Sequence, residues 1–232
     1  MMIETTGRPF SRVRHPTWVR LTHWTGAAAT LALMISGTAI LLALPKLFWG
    51  ETGANDAPAW ITLPLPVDLE QTGWARNLHF LAAWIFVLNG AVYLALALMR
   101  GHLRRRLLPE PAEIRPWALA GEIRAHLRLR GGAPPTGRYN ALQKIAYLVV
   151  LLVLAPLMLL TGLTMSPGVT AAWPELFTLF GGRQSARTIH FLAAFAMVAF
   201  LAIRIWQVLA NRPLALMRGM IVGSGGKGEE TA

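Results

Sequence analysis

Four stretches of the chain are nearly unbroken runs of apolar residues, set apart by polar segments. Leu21 to Pro45, Asn77 to Met99 and Ile145 to Pro174 hold no Asp, Glu, Lys or Arg, and Thr188 to Ala210 is interrupted only by Arg204. A bilayer-spanning helix needs roughly 20 mostly apolar residues, which each run supplies. The pattern predicts transmembrane helices near 17–44, 74–100, 140–165 and 184–210, an all-α, integral membrane four-helix bundle. One domain over 1–222 is expected, with a flexible tail at 223–232.

Composition agrees with this reading. Charged residues make up 14% of the chain and hydrophobic residues 54%, whereas a soluble domain carries about a quarter charged residues. The net charge of +11 would suit nucleic acid, but its distribution points elsewhere. Residues 1–20 hold four Arg against one acid and 100–138 hold nine Arg against three acids. The 45–73 connection holds one Lys against four acids, and 166–183 has one charge of each sign. This alternation is the positive-inside pattern. It places both termini and 100–138 on the cytoplasmic side, and the other two connections in the periplasm. No removable signal is recognised before the first run, so that run is expected to remain as an anchor. The absence of cysteine excludes disulfides, thiolate clusters and haem attached through a Cys pair.

The chain also repeats itself. ARNLHFLAAW at 75–84 and ARTIHFLAAF at 186–195 agree at seven of ten positions. Each follows a helix ending in a small-residue pair, Ser36-Gly37 and Thr161-Gly162. Two helical hairpins joined by an Arg-rich segment are the simplest reading, with the repeats parallel and at one depth. The 45–73 connection, rich in Pro, Trp and Gly, is expected to cap the periplasmic mouth. Residues 101–130 read as a basic interfacial segment ended by GGAPPTG, and Pro156 predicts a kink in the third span.

Of the six histidines, His15, His102 and His126 sit at or beyond helix ends among arginines and read as solvated. His23, His79 and His190 lie inside spans, where ionisable residues are rare and signal function. A neutral His can also serve only as an interhelical tie, but two at matched depth in repeated sequence favour a shared ligand. Bis-histidine ligation of a b-type haem needs one imidazole from each side and no cysteine. Zinc is the rival, and the apolar surroundings offer it no further ligand. Gly37, 14 residues or about 21 Å beyond His23 on nearly one face, falls at the level of the His79–His190 pair. There it and Gly162 would let the macrocycle approach, or simply let helices pack closely. His23 stands where a second haem would need a ligand from the first helix.

RHPTWVRLTHW, LMISG, RNLHF, RYNALQKIAYL, LLTGLTMSPG and GGRQSARTIHF together resemble the bacterial cytochrome b561 family. More narrowly they are similar to thiosulfate-reductase-type and nickel–iron-hydrogenase-type cytochrome b subunits, over roughly residues 12–222. The resemblance implies a membrane anchor passing electrons between a quinone and a periplasmic partner, a molybdopterin oxidoreductase or c-type cytochrome. It further implies a periplasmic haem on His79 and His190. A cytoplasmic haem in such relatives uses a His matching His23 and another 14 residues after the first His of the fourth helix. That position is Arg204 here, whose guanidinium has no lone pair for iron. The second haem is then absent, five-coordinate on His23, or served by another His. His102 is a poor substitute, lying 23 residues and about 35 Å beyond His79. Arg204 itself reads either as a side chain reaching headgroups or as a partner for a propionate or quinone oxygen.

The quinone in such relatives binds near the cytoplasmic haem, and the polar residues at that depth, beside His23 and Arg204, are the candidates: Asn140, Gln143, Lys144 and Tyr147, with Tyr139. Lys144 and Tyr139 are also ordinary interface anchors. Two further readings remain: a stand-alone superoxide:quinone oxidoreductase, favoured by Arg76, Arg183 and Arg187 near the periplasmic mouth, and a haemless membrane anchor.

Overall fold

The computed structural model describes residues 16–51, 58–65, 73–101, 108–127, 140–210 and 221. Four helical spans dominate it. Helix α1 runs Thr17–Ala43; a two-residue strand β1, Lys46–Leu47, pairs antiparallel with β2, Ile61–Thr62; and α2 runs Gly73–Met99. After α3, Pro116–Leu127, the third span is built from α4, Ala141–Val149, a π-helical turn at Val150–Leu154, and α5, Ala155–Thr164. Two short helices, α6 (Pro167–Ala172) and α7 (Glu175–Phe180), lead to α8, Arg183–Ala210. All four spans are long and apolar enough to cross a membrane. The expected tail at 223–232 and the GGAPPTG stretch lie outside the described residues, as do His15, His102, Tyr139 and the side chain of His126.

The predicted spans agree with the helices to within one residue at each end. The third differs in its interior. Pro156 has no N–H, so a carbonyl one turn earlier loses its donor. The chain widens into the π turn directly before it, where the Ala155 N–H bonds to the Val150 carbonyl, five residues back. A π turn thus accompanies the proline where a kink was expected.

Large apolar side chains point outward, among them Leu31, Ile35, Leu81, Leu88, Leu152, Phe195 and Trp206, while most buried positions along the spans are small, among them Ala29, Ser36, Ala82, Ala97, Thr161, Thr164 and Ala193. Lipid solvates the large residues as well as another helix would, so association is left to close approach along small side chains. Packing pairs α1 with α2 and the α4–α5 span with α8, which gives the two hairpins read from the repeat. Asn89 adds a polar tie in the first hairpin, its Nδ2 donating to the Thr22 carbonyl at 2.9 Å. An added Cβ on Gly26 would stand 3.2 Å from that Nδ2, so the glycine makes the room Asn89 uses.

The hairpins join at the N-terminus of α8. Its first amides need acceptors from outside the helix, and the Gly50 carbonyl accepts from Gln184 N at 3.0 Å and Ser185 N at 3.3 Å. Ser185 Oγ in turn accepts from Gly50 N at 2.7 Å. Thr188 donates to the Phe48 carbonyl at 2.7 Å and Arg187 to the Leu44 carbonyl at 2.8 Å. The first part of the 45–73 connection therefore caps α8. Leu47, Phe48, Ser185 and Ala186 are buried at this joint.

At the other end of the third span, two carboxylates hold α3 and its lead-in against α4. Glu122 accepts from the amides of Ala141 and Leu142 at 3.3 and 3.1 Å, and Glu113 meets Lys144 Nζ at 2.7 and 3.0 Å.

Candidate functional site

His79 and His190 sit on α2 and α8, one from each hairpin, with ring centroids 6.3 Å apart and planes inclined at 61°. The repeat that carries them also sets their supports. His79 Nδ1 lies 3.0 Å from Ser36 Oγ on α1, and His190 Nδ1 lies 2.9 Å from Thr161 Oγ1 on α5. Both hydroxyl residues are fully buried. The following glycine completes each unit: a Cβ on Gly37 would stand 3.4 Å from His79 Cε1, and one on Gly162 would stand 3.6 Å from His190 Cε1. The two hairpins thus present the same hydroxyl–glycine–imidazole device twice. The space expected to admit a macrocycle at these glycines borders the imidazoles themselves.

With each Nδ1 turned to its own hairpin, the nitrogen left for a ligand is Nε2. Metal–imidazole bonds run about 2 Å, so rings 6.3 Å apart would leave room for both histidines to hold one metal atom. Among the described residues no group of three or more His, Cys, Asp or Glu could hold a metal ion. Two neutral nitrogen donors in an apolar interhelical setting suit an iron whose other ligands come from a porphyrin.

A family model described as prokaryotic cytochrome b561 matches residues 14–223. The chain belongs to the prokaryotic cytochrome b561 family. It is 30% identical over 210 residues, 88% of this chain and 96% of the relative, to an Azospira oryzae protein provisionally named protein-methionine-sulfoxide reductase subunit YedZ1. It is 26% identical over 202 residues, 82% of this chain and 76% of the relative, to a Cupriavidus necator protein provisionally named as a Ni/Fe-hydrogenase B-type cytochrome subunit. Membership in this cytochrome family implies a b-type haem.

The other residues singled out in the b561 sequence fall into two groups. Arg204 donates to Gln207 Oε1 at 3.0 Å and lies over the Tyr147 ring, 5.1 Å from its centroid. Tyr147 packs edge-on against Phe200. Arg204 and Tyr147 are therefore neighbours across α8 and α4, as their common depth suggested. His23 is exposed and stands edge-on to Trp24. Asn140 and Gln143 form the capping box that starts α4, Gln143 Oε1 accepting from Asn140 N at 3.4 Å. Lys144 is buried and paired with Glu113.

Of the arginines near the repeats, Arg187 holds the Leu44 carbonyl and Arg183 lies over the Phe177 ring. Sequence reasoning noted Ser36 and Thr161 only as small residues and passed over Asn89, Glu113 and Glu122. A signal did exist for the first pair. Each hydroxyl directly precedes a glycine in the helix that pairs with a repeated histidine.

Proposed function

We propose that the protein is a membrane b-type cytochrome subunit that carries electrons between the quinone pool and a periplasmic redox partner. His79 and His190 hold the haem iron, and the residue pattern supports this reading through one observation above others. Two imidazoles from different hairpins stand with ring centroids 6.3 Å apart, each fixed by a buried hydroxyl of its own hairpin. The haem, when bound, supplies a one-electron couple; the chain's part is to present two nitrogen donors and surround them with apolar helices.

The charge pattern sets the sides. It puts the β1–β2 connection and α6–α7 in the periplasm of a bacterial inner membrane. The haem then lies toward the periplasmic face, in reach of a docked molybdopterin oxidoreductase or c-type cytochrome. Relatives named as subunits of a sulfoxide reductase and a hydrogenase support an oxidoreductase partner. The quinone end is the cytoplasmic one. There Arg204 and Tyr147 lie side by side, with Asn140, Gln143 and Lys144 one or two turns away along α4. Arg204, whose guanidinium presents a fork of N–H donors, is suited to a quinone oxygen or a propionate.

Purification in detergent, pyridine haemochromogen analysis and reduction by a quinol test this reading. One b-type haem per chain with a quinol-reducible, sharp alpha band is expected. A chain devoid of haem after expression with ample haem supply overturns it and leaves the plain membrane anchor. Rapid haem reduction by superoxide without a partner, followed by reoxidation by quinone, points instead to the superoxide:quinone reading.

A further inference from the structure

The geometry points to Ser36 and Thr161 as tautomer locks: each hydroxyl accepts the Nδ1 proton of its histidine, so that Nε2 keeps its lone pair for iron. This inference rests on the haem-ligand reading of His79 and His190, and it concerns how the chain prepares them.

A hydroxyl has one proton to give. In both residues that proton has a place inside the helix. Ser36 Oγ lies 2.7 Å from the Ala32 carbonyl and 3.3 Å from that of Leu33. Thr161 Oγ1 lies 2.6 Å from the Leu157 carbonyl and 3.3 Å from that of Met158. If either hydroxyl turned its proton to the imidazole, two oxygens 2.6–2.7 Å apart would be left with no proton between them at a fully buried residue. Such an arrangement is costly where nothing screens it. The oxygen's remaining capacity is as an acceptor, and the group within reach is Nδ1, at 3.0 Å for His79 and 2.9 Å for His190. Nδ1 must then carry the hydrogen.

In a neutral imidazole this leaves Nε2 as the bare nitrogen. The hydroxyl also fixes the ring about its own axis, and the glycine next to it leaves room for Cε1. The arrangement occurs in both hairpins with different side chains, Ser in one and Thr in the other. Both keep the hydroxyl oxygen and its helical i−4 carbonyl, the parts the lock requires.

Three variants test the proposal in the full chain. Thr161→Val is close to isosteric and removes the acceptor, Ser36→Ala removes it from the other side, and Thr161→Ser keeps it. Losing an outer partner of a metal-bound histidine typically costs about 10–100-fold in affinity. Haem affinity is expected to fall by that factor in Thr161→Val and Ser36→Ala and to stay within about threefold of wild type in Thr161→Ser. The midpoint potential of the haem retained should rise in the first two, because a less polarised imidazole favours ferric iron less. The rise is about 59 mV for each tenfold change in relative affinity for the two oxidation states. A Thr161→Val protein with wild-type affinity and potential overturns the proposal.

Nitrogen-15 spectra of the histidines in wild-type chain made without haem are a second measurement that does not depend on any variant folding. Nδ1–H signals for both His79 and His190 are expected, and an Nε2–H signal for either overturns the lock. A wild-type chain that takes up no haem would overturn the haem reading instead, while the same spectra would still decide the tautomers.

Discussion

Gly182 lies so close to Gly50 that a Cβ added to it would stand 2.5 Å from the Gly50 carbonyl carbon and oxygen and 2.6 Å from Glu51 N. The contact closes the joint on which α8, and with it His190, is set. Gly182 also has a φ of 106°, a conformation that side chains resist.

Gly182→Ala is therefore expected to destabilise the protein by about 3 kcal/mol, the sum of backbone strain and overpacking. Thermal unfolding in detergent should show a lower midpoint and haem lost early. Gly90→Ala serves as the control, since its added Cβ meets nothing within 4 Å and a helix interior gains up to about 1 kcal/mol from the exchange.

His79→Ala and His190→Ala should each abolish the sharp alpha band, because on the proposed reading each histidine would supply one of the two nitrogen donors that hold the haem iron. The chain should remain folded in the membrane, for its spans are held by apolar length and small-residue packing and not by the imidazoles. Reduced-minus-oxidised spectra, with circular dichroism for helix content, read both outcomes. A full alpha band in either variant would remove that histidine from the ligand set.

Arg204 predicts a haem-to-chain ratio of one. Its guanidinium is engaged with Gln207 and Tyr147 in its own hairpin and has no lone pair to offer iron. Arg204→His places an imidazole about 21 Å beyond His190 on nearly the same face, on the His23 side of the bundle. The ratio should then move toward two, and haemochromogen analysis against total protein measures it. A wild-type ratio of two would mean that His23 binds haem with some other second ligand.

Lys144 and Glu113 form an ion pair at 2.7 Å whose cation is 9% and whose carboxylate is 32% exposed. Glu113→Gln strands a buried ammonium. Breaking a buried pair costs about 3–5 kcal/mol, and partial exposure of the acid brings the expected loss to about 2 kcal/mol. The double variant Lys144→Met, Glu113→Gln should recover most of it, since no charge is then left without a partner. Denaturation midpoints of the single and double variants give the comparison.

Glu122 receives the first amides of α4 in place of a residue of that helix. Glu122→Ala is expected to cost about 1 kcal/mol, the usual value of an N-terminal cap. Glu122→Gln, which keeps an acceptor oxygen and loses only the charge at the positive end of the helix, should cost less. If Asn140 and Gln143 were the whole cap, both variants would unfold like the wild type.

Much of this molecule could be read from the residues alone, and for a definite reason. A bilayer span is decided by the transfer of about 20 consecutive side chains into lipid, a local quantity, so all four spans came out within a residue of their helices. The matched decapeptides placed His79 and His190 at one depth in the same way, since helical rise is local too. Arg204 beside Tyr147 followed from depth as well. The π turn before Pro156 did not, because a missing N–H says which bond is lost and not how the ladder is re-registered.

What only the tertiary structure decided is which groups meet. Ser36 and Thr161 each satisfy their own proton within their helix, and nothing local tells whether the remaining lone pair faces lipid or an imidazole 43 or 29 residues away. Helix rotation settles that, and rotation is set by the packing of small side chains contributed by distant segments. The caps behave alike: the Gly50 carbonyl on α8 and the Glu122 carboxylate on α4 are acceptors supplied across the fold. A chain in lipid determines its own spans through solvent preference, while the pairing of buried polar atoms waits for another helix to bring the partner.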